Sequence, residues 1–519
     1  MEKITPRSKR IGLLCLFAVI VATVTACNGV PVKTEQPVSL PTVTVPYVAP
    51  IGDAALEYTA DATLYLPSHD GTRLISTVQP VVFSAARLNA ESIVRALLLY
   101  PGDSMASALG GSVKLSLYGA NPVETSGDVA TVNLAASALQ LDRKTLYLCG
   151  QALTNTLTEL NGIRYVNILV MDKQIGLDLA STLPMGALTR SYGGSLGAAY
   201  EQALSQRAQT DANLAEQRLS ATVALYYPLA SQNGVISEAR HIAFASQSPE
   251  DMATRILTEL SEGAVTVQGS PALPLLSGLL VEPPSIDEPV GGGGKIVTLR
   301  FDAALYDVLA AAGVPRASCF ASLCYTLSTF LPNVTGVVMY IGDELVEHVM
   351  LGATEGILFE NGVQQRSQYA PYLMDECTLY FADAQNERLL AVKRPIPFYL
   401  RANPRALLLE LFQGPSAADR PLHGQAVLPV GELTDADVLG LSLSDRTLVV
   451  NLSNRFMQAA DGLSEKQDRL LAYSIVNTLL CGDHADRLCF FTAGAMPNGL
   501  SGEIEWAGLF YRNIGLSGT

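Results

Sequence analysis

Positive charge is scarce in this sequence. Over 519 residues, 34 lysines and arginines face 49 aspartates and glutamates, a net charge of −15. A nucleic-acid surface needs basic clusters to neutralise phosphates, and adhesion to anionic lipid needs them too, so both are excluded as modes of binding. Histidine is rarer: His69, His241, His348, His423 and His484 show no metal-ligand spacing. The eight cysteines form no CxxC pair and no Cys/His cluster of zinc type. No metal or cofactor is therefore expected. Tryptophan occurs once, at Trp506, and only 16% of residues are charged, but 49% are hydrophobic. That balance describes a globular chain, long enough for about three or four domains.

Long apolar runs are also lacking outside the start of the chain. Residues 1–26 form a targeting leader: Lys3, Arg7, Lys9 and Arg10 precede an uncharged apolar stretch at 11–26, too short for a comfortable membrane span. It ends Val24-Thr25-Ala26-Cys27, which resembles a bacterial lipobox. Cys27 is the expected site of lipidation, where a diacylglyceryl anchor with its acyl chains (palmitate, for example) would hold the protein at the membrane. Residues 27–54 hold five prolines among polar and β-branched residues and read as an extended tether without a core.

The organising feature is a helix, a tight stop and a buried strand at residues 141–170. Leu146, Cys149, Leu153, Leu157 and Leu160 share one helix face, and Asn161-Gly162 ends the helix. The pattern returns at 317–341 and 466–492. Leu153, Leu323 and Ile475 fall in register, as do Thr156-Leu157, Thr326-Leu327 and Thr478-Leu479. Each copy opens with a short strand: Leu64-Tyr65-Leu66, Leu225-Tyr226-Tyr227 or Leu379-Tyr380-Phe381. A first helix follows, with Asn89, Ser248 and Asn403 as N-caps and Pro249 and Pro404 at the first helical position. A strand pair comes next, expected between 113–117 and 129–134, 275–281 and 296–301, and 438–443 and 447–452. The expected fold is α+β: three tandem modules of order β-β-α-β-β-α-β, each a small mixed β-sheet with two helices on one face. The boundaries are 55–190, 221–350 and 375–519, with linkers at 191–220 and 351–374.

Few motifs suggest chemistry. Gly193-Gly194-Ser195-Leu196-Gly197 fits a nucleophile pattern, but residues 188–192 make a poor buried strand before it. Gly291 to Gly294 with Lys295 lack the Ser or Thr of a phosphate loop. Asp435 and Asp437 share a turn but are too few carboxylates for calcium. Cys149 and Cys319 occupy one helix register and should be buried; a Cys481–Cys489 disulfide is open. The recurring threonine is expected to bond a carbonyl one helical turn back, and no other polar residue is expected to recur in register.

The order of these pieces, with LL-x-Y-P-G or LF-Q-G-P closing the first helix, V-A-T-V-N-L in a strand and TLTEL in the second helix, resembles the GerMN domain of sporulation and spore-germination lipoproteins. The first and third copies match better; the second has a long hairpin insertion and lacks the proline after its first helix. The resemblance implies a fold related to ring-building modules of secretion-like channels. It also implies a non-catalytic protein, lipid-anchored on the extracytoplasmic face of the cell membrane and partnered with envelope or sporulation-complex proteins. The expected function is thus a binding scaffold, through exposed strand edges and helix faces, with envelope proteins or other copies of the chain as partners. The alternative is a cell-envelope hydrolase using Ser195 or a carboxylate pair; a solute-binding lipoprotein would need a cleft between lobes.

Overall fold

The computed structural model describes residues 57–517 except 85, 161, 175–185, 192–218, 230–232, 247, 266–270, 272, 290–293, 332, 352–354, 417–432, 461, 482–484 and 498–503. Cys27, Ser195, His423, His484 and the leader and tether lie outside the described residues.

The chain is α+β, built from several small sheets and the helices between them. In the first segment, β1 (Glu57–Pro67) and β2 (Leu74–Ser84) form an antiparallel hairpin, followed by α1 (Asn89–Leu99). Then come β3 (Val123–Ser126), β4 (Val129–Leu134), α2 (Arg143–Leu157), β5 (Tyr165–Val170) and the short β6 (Lys173–Gln174) and β7 (Leu188–Thr189). β4 and β5 run parallel, as the helical crossover between them requires, and the other pairs of this sheet are antiparallel.

The second segment repeats the order with additions. Its elements are β8 (Leu219–Pro228), β9 (Val235–Phe244), α3 (Pro249–Ser261), β10 (Ser285–Asp287), β11 (Lys295–Phe301), α4 (Leu305–Ala311), α5 (Arg316–Phe330) and β12 (Val334–Ile341). Short strands β13 (Glu344–Leu345), β14 (His348–Met350), β15 (Gly356–Leu358) and β16 (Val363–Gln364) follow. The third segment comprises β17 (Met374–Ala382), β18 (Leu389–Pro397), α6 (Pro404–Phe412), β19 (Val438–Ser444), β20 (Thr447–Leu452), α7 (Asn454–Ala460), α8 (Glu465–Leu479), β21 (Arg487–Thr492) and β22 (Phe510–Tyr511).

The strands differ from the sequence expectation in two ways. First, the ladder on β4 is made by residues 123–126, joined to it by a tight turn at Gly127 (φ +59°) and Asp128, and of 113–117 only Leu117 bridges β4, at Leu134. In the second segment residues 276–279 likewise form a 3₁₀ turn, Leu280 alone bridges β11 at Phe301, and β10, inside the insertion, makes the ladder with β11. Second, in each copy the opening hairpin is a sheet separate from the mixed sheet, and in the second copy β14 and β15 pair as a further small sheet. The reason lies in the recurring threonine. Thr156, Thr326 and Thr478 accept hydrogen bonds through Oγ1 from the backbone N–H of Tyr65, Tyr226 and Tyr380, at 2.9, 3.1 and 3.1 Å. The Ser322 and Ser474 hydroxyls donate to the carbonyls of Tyr226 and Tyr380, where the first copy has Ala152. The threonine's expected local carbonyl bond is thus replaced by a side-chain bond to the strand edge. A helix, instead of a third strand, covers that edge.

Leu153, Leu323 and Ile475 are fully buried, and Cys149 and Cys319 are buried beside them. Burial pushes both thiols up to about 12. Cys481 and Cys489 are free thiols. Ser248 and Asn403 cap their helices with their side chains, whereas Asn89 lies inside α1, next to Leu88, which offers no side-chain cap. Gly162 takes φ +101° beyond the end of α2. One continuous core runs through the second segment and takes in Val129, Tyr165 and Ala187 from the first and Phe398 from the third. α5 lies at its centre, buried on nearly all sides, as expected for a helix that is apolar around its circumference. The third segment keeps its own core around Trp506, Phe456, Phe490 and Phe510.

Trp506 donates its indole N–H to both oxygens of Asp468, at 3.1 and 3.2 Å. Burial raises the Asp468 carboxyl above its ordinary value, and the indole bond offsets this only in part. The folded state therefore holds the proton more tightly than the unfolded chain. Stability from this group is present at low pH and is lost as pH rises from the unfolded value through the folded one. Asp468→Asn keeps an acceptor for the indole but cannot ionise. Its Tm should match that of the native chain near about pH 3 and exceed it at about pH 7; equal differences at both pH values would contradict this.

Candidate functional site

The strand tyrosine that meets the helix threonine also anchors a second recurring pair. In each segment an arginine from the closing stretch lies over its ring: Arg190 over Tyr65, Arg366 over Tyr226 and Arg512 over Tyr380, at 5.4, 5.6 and 5.9 Å from the ring centres. Arg190 and Arg512 also donate to the Tyr65 and Tyr380 hydroxyls, both at 2.8 Å. Next to these arginines, Asn155 clamps the backbone of Ser191 through two bonds of 2.9 and 3.0 Å, and Asn477 clamps Asn513 at the same two distances. Arg190 with Arg512, and Asn155 with Asn477, stand at the 322-residue offset that relates Leu153 to Ile475. Polar residues therefore do recur in register, contrary to the sequence expectation.

Each pair sits differently. In the first segment, the Tyr65 hydroxyl donates to Glu159 at 2.7 Å and Arg190 pairs with the same carboxylate. Burial, with Glu159 adding to it, pushes the Tyr65 hydroxyl up to about 12. In the second, the acid comes from the neighbouring segment. The turn before β4 inserts Asp128, whose carboxylate accepts from the Tyr226 hydroxyl at 2.7 Å and faces Arg366 at 3.3 Å. Arg366 also donates to the carbonyls of Ser126 (2.9 Å) and Tyr325 (3.1 Å) and to the Thr329 hydroxyl. Tyr165 donates to Ser237 at 2.9 Å beside them, and Asn167 donates to the Thr329 carbonyl at 2.7 Å. Gly127 takes φ +59°, which favours glycine, and a Cβ there would come within 3.2 Å of Leu373 and 3.3 Å of Arg366, so a larger residue would strain the turn and displace these side chains. Burial pulls the Arg366 guanidinium down, but Tyr226 and Asp128 hold it above its ordinary value.

The first and third segments meet across a cleft of about 610 Å³. Asp375 spans it, accepting from Arg401 at 3.0 Å and facing Arg164 of the first segment at 3.3 Å. Glu159, Arg190, Glu376 and Cys481 also line it. Its acids are committed: Glu159 to Arg190, Asp375 to two arginines and Glu376 to Lys393 at 2.9 Å. No carboxylate pair in it stands free for general acid and base work. Among the described residues no three His, Cys, Asp or Glu side chains converge as metal ligands. Asp435 pairs with Arg405 at 2.6 Å, and Asp437 accepts from Ser453 and from the Thr434 backbone, so that acidic turn is a structural cap.

The model of the family Germane, described as sporulation and spore germination, matches residues 63–176 and 378–484. These matches fall in the first and third segments. The middle segment lies outside both matches. Germane is not a known enzyme family. No curated protein sequence matches the chain. Among solved structures, the tandem GerMN domains of the sporulation protein GerM from Bacillus subtilis are 16% identical, over 59% of this chain and 99% of that one, with TM-score 0.22. The first GerMN domain of GerM, also from Bacillus subtilis, is 21% identical over 23% and 84%, with TM-score 0.18. A candidate lipoprotein from Clostridium perfringens is 18% identical over 28% and 92%, with TM-score 0.17.

Proposed function

We propose that the protein is a non-catalytic scaffold of three tandem Germane modules, lipid-anchored through Cys27 on the extracytoplasmic face of the cell membrane. It acts by binding envelope or sporulation-complex proteins. The observation that carries this reading is the fate of the recurring polar residues: they join helix to strand and module to module, and none is left converging on a reacting atom. Catalysis needs such convergence in a pocket. A fused first and second module, with a third docked across a cleft, instead presents a preorganised surface, which lowers the ordering cost of binding.

Two experiments test it. The full chain and a Ser195→Ala variant, purified in detergent, are assayed on peptidoglycan, ester and peptide substrates. Neither should turn over, and hydrolysis abolished by Ser195→Ala would favour the envelope hydrolase. Separately, Cys27→Ser should abolish incorporation of labelled palmitate and release the protein from the membrane fraction. Label that persists in Cys27→Ser would rule out that anchor.

A further inference from the structure

The three tyrosine–arginine pairs differ in where their carboxylate comes from. The first takes Glu159 from its own helix end, and the second takes Asp128 from the neighbouring module's hairpin turn. The third has neither. The position in register with Glu159 is Cys481, a half-buried free thiol, and among the described residues no carboxylate pairs with Arg512. Arg512 is exposed, and Leu509, Tyr511 and Ile514 around it are 53%, 57% and 72% exposed. An arginine fixed on a tyrosine, with exposed apolar residues beside it in the sequence, has the composition of an interface anchor.

We propose that Tyr380 and Arg512 receive an acidic residue carried on a tight β-hairpin turn of a partner protein, as Tyr226 and Arg366 receive Asp128. This rests on the scaffold reading and names one of its contacts. A second copy of this chain is a poor donor. Its Asp128 is fully buried; the residue in the same place before β11 is Gly294, and before β20 it is Arg446. That last assignment follows from the backbone: the Asp128 carbonyl accepts from the N–H groups of Arg164 and Tyr165, and the Arg446 carbonyl from those of Asp486 and Arg487. The adjacent Asp445 is paired with Arg487 at 3.1 Å.

The probe is a cyclised hairpin peptide of residues 123–132, whose turn carries Asp128, titrated against the full chain in detergent by fluorescence anisotropy. Saturable binding is expected. It should weaken about tenfold or more with Asp128→Asn in the peptide or Arg512→Ala in the chain, the scale of a lost charge-assisted contact. Cys481→Glu should place a carboxylate on Arg512 from within, as Glu159 does on Arg190. That variant should block the peptide and raise Tm by about 2–4 °C. Absence of saturable binding, binding indifferent to Arg512→Ala, or a Cys481→Glu chain unchanged in both readouts would each overturn the proposal. If the Arg512→Ala chain still crosslinks to envelope proteins in the membrane while the peptide result is negative, this contact fails but the scaffold reading stands.

Discussion

Asp128→Ala should cost about 3–5 kcal/mol of stability, because it strips a buried guanidinium of its counter-charge and leaves the Tyr226 hydroxyl without its acceptor. Asp128 is fully buried, and Arg366 is buried with it. The loss reflects an uncompensated charge and not the net worth of the pair, since desolvation offsets much of the attraction between buried ions. Asp128→Asn, which keeps an acceptor but no charge, should cost less. The damage should be local: hydrogen exchange should quicken along the seam, in β4, β5, β8 and α5, before it quickens in β17 or α8. Uniform quickening across the third module would show that the seam does not act as a unit.

Trp506→Ala should be comparably costly, about 3–5 kcal/mol, and should act elsewhere. Trp506 is 1% exposed and packs on Phe490 and Phe456, with ring centres 4.8 and 6.0 Å away. Its removal leaves a cavity and also leaves Asp468 buried without its donor. Because the third core is its own, denaturant unfolding followed by circular dichroism should lose or lower the third-module transition first. That early transition would leave the fused first and second modules in place, a departure from two-state behaviour. In the native chain the fluorescence of this single tryptophan should report the same transition. Coincident unfolding of all three modules in the variant would contradict separate cores.

These two sites mark how much the sequence could tell. The apolar register of Leu153, Leu323 and Ile475, the caps at Ser248 and Asn403 and the stop at Gly162 are local, and periodicity and turn chemistry expose them directly. The indole contact of Trp506 with Asp468, 38 positions earlier, was not legible. Asp128 and Arg366 lie 238 positions apart, and no local pattern links them. The threonine was misread for a related reason: a mid-helix hydroxyl has a carbonyl within reach by default, and only the docked strand reveals the better partner. A sharper signal was present in Arg190 and Arg512, each just beyond a two-residue closing strand and in register with each other. Residues 113–117 alternate apolar and polar as a strand would, but only Leu117 bridges β4, because Gly127-Asp128 dictates where the hairpin must turn.

The central claim is that the chain works by holding partners at the membrane. It is tested most directly by crosslinking the full-length, anchored protein in native membranes and identifying what is joined to it. The account predicts a reproducible set of envelope proteins, unchanged in the Ser195→Ala variant and lost when Cys27→Ser frees the chain from the membrane. A chain that crosslinks to no protein above the level of an unrelated lipoprotein, and whose Ser195→Ala variant loses a measurable hydrolytic activity, would contradict it.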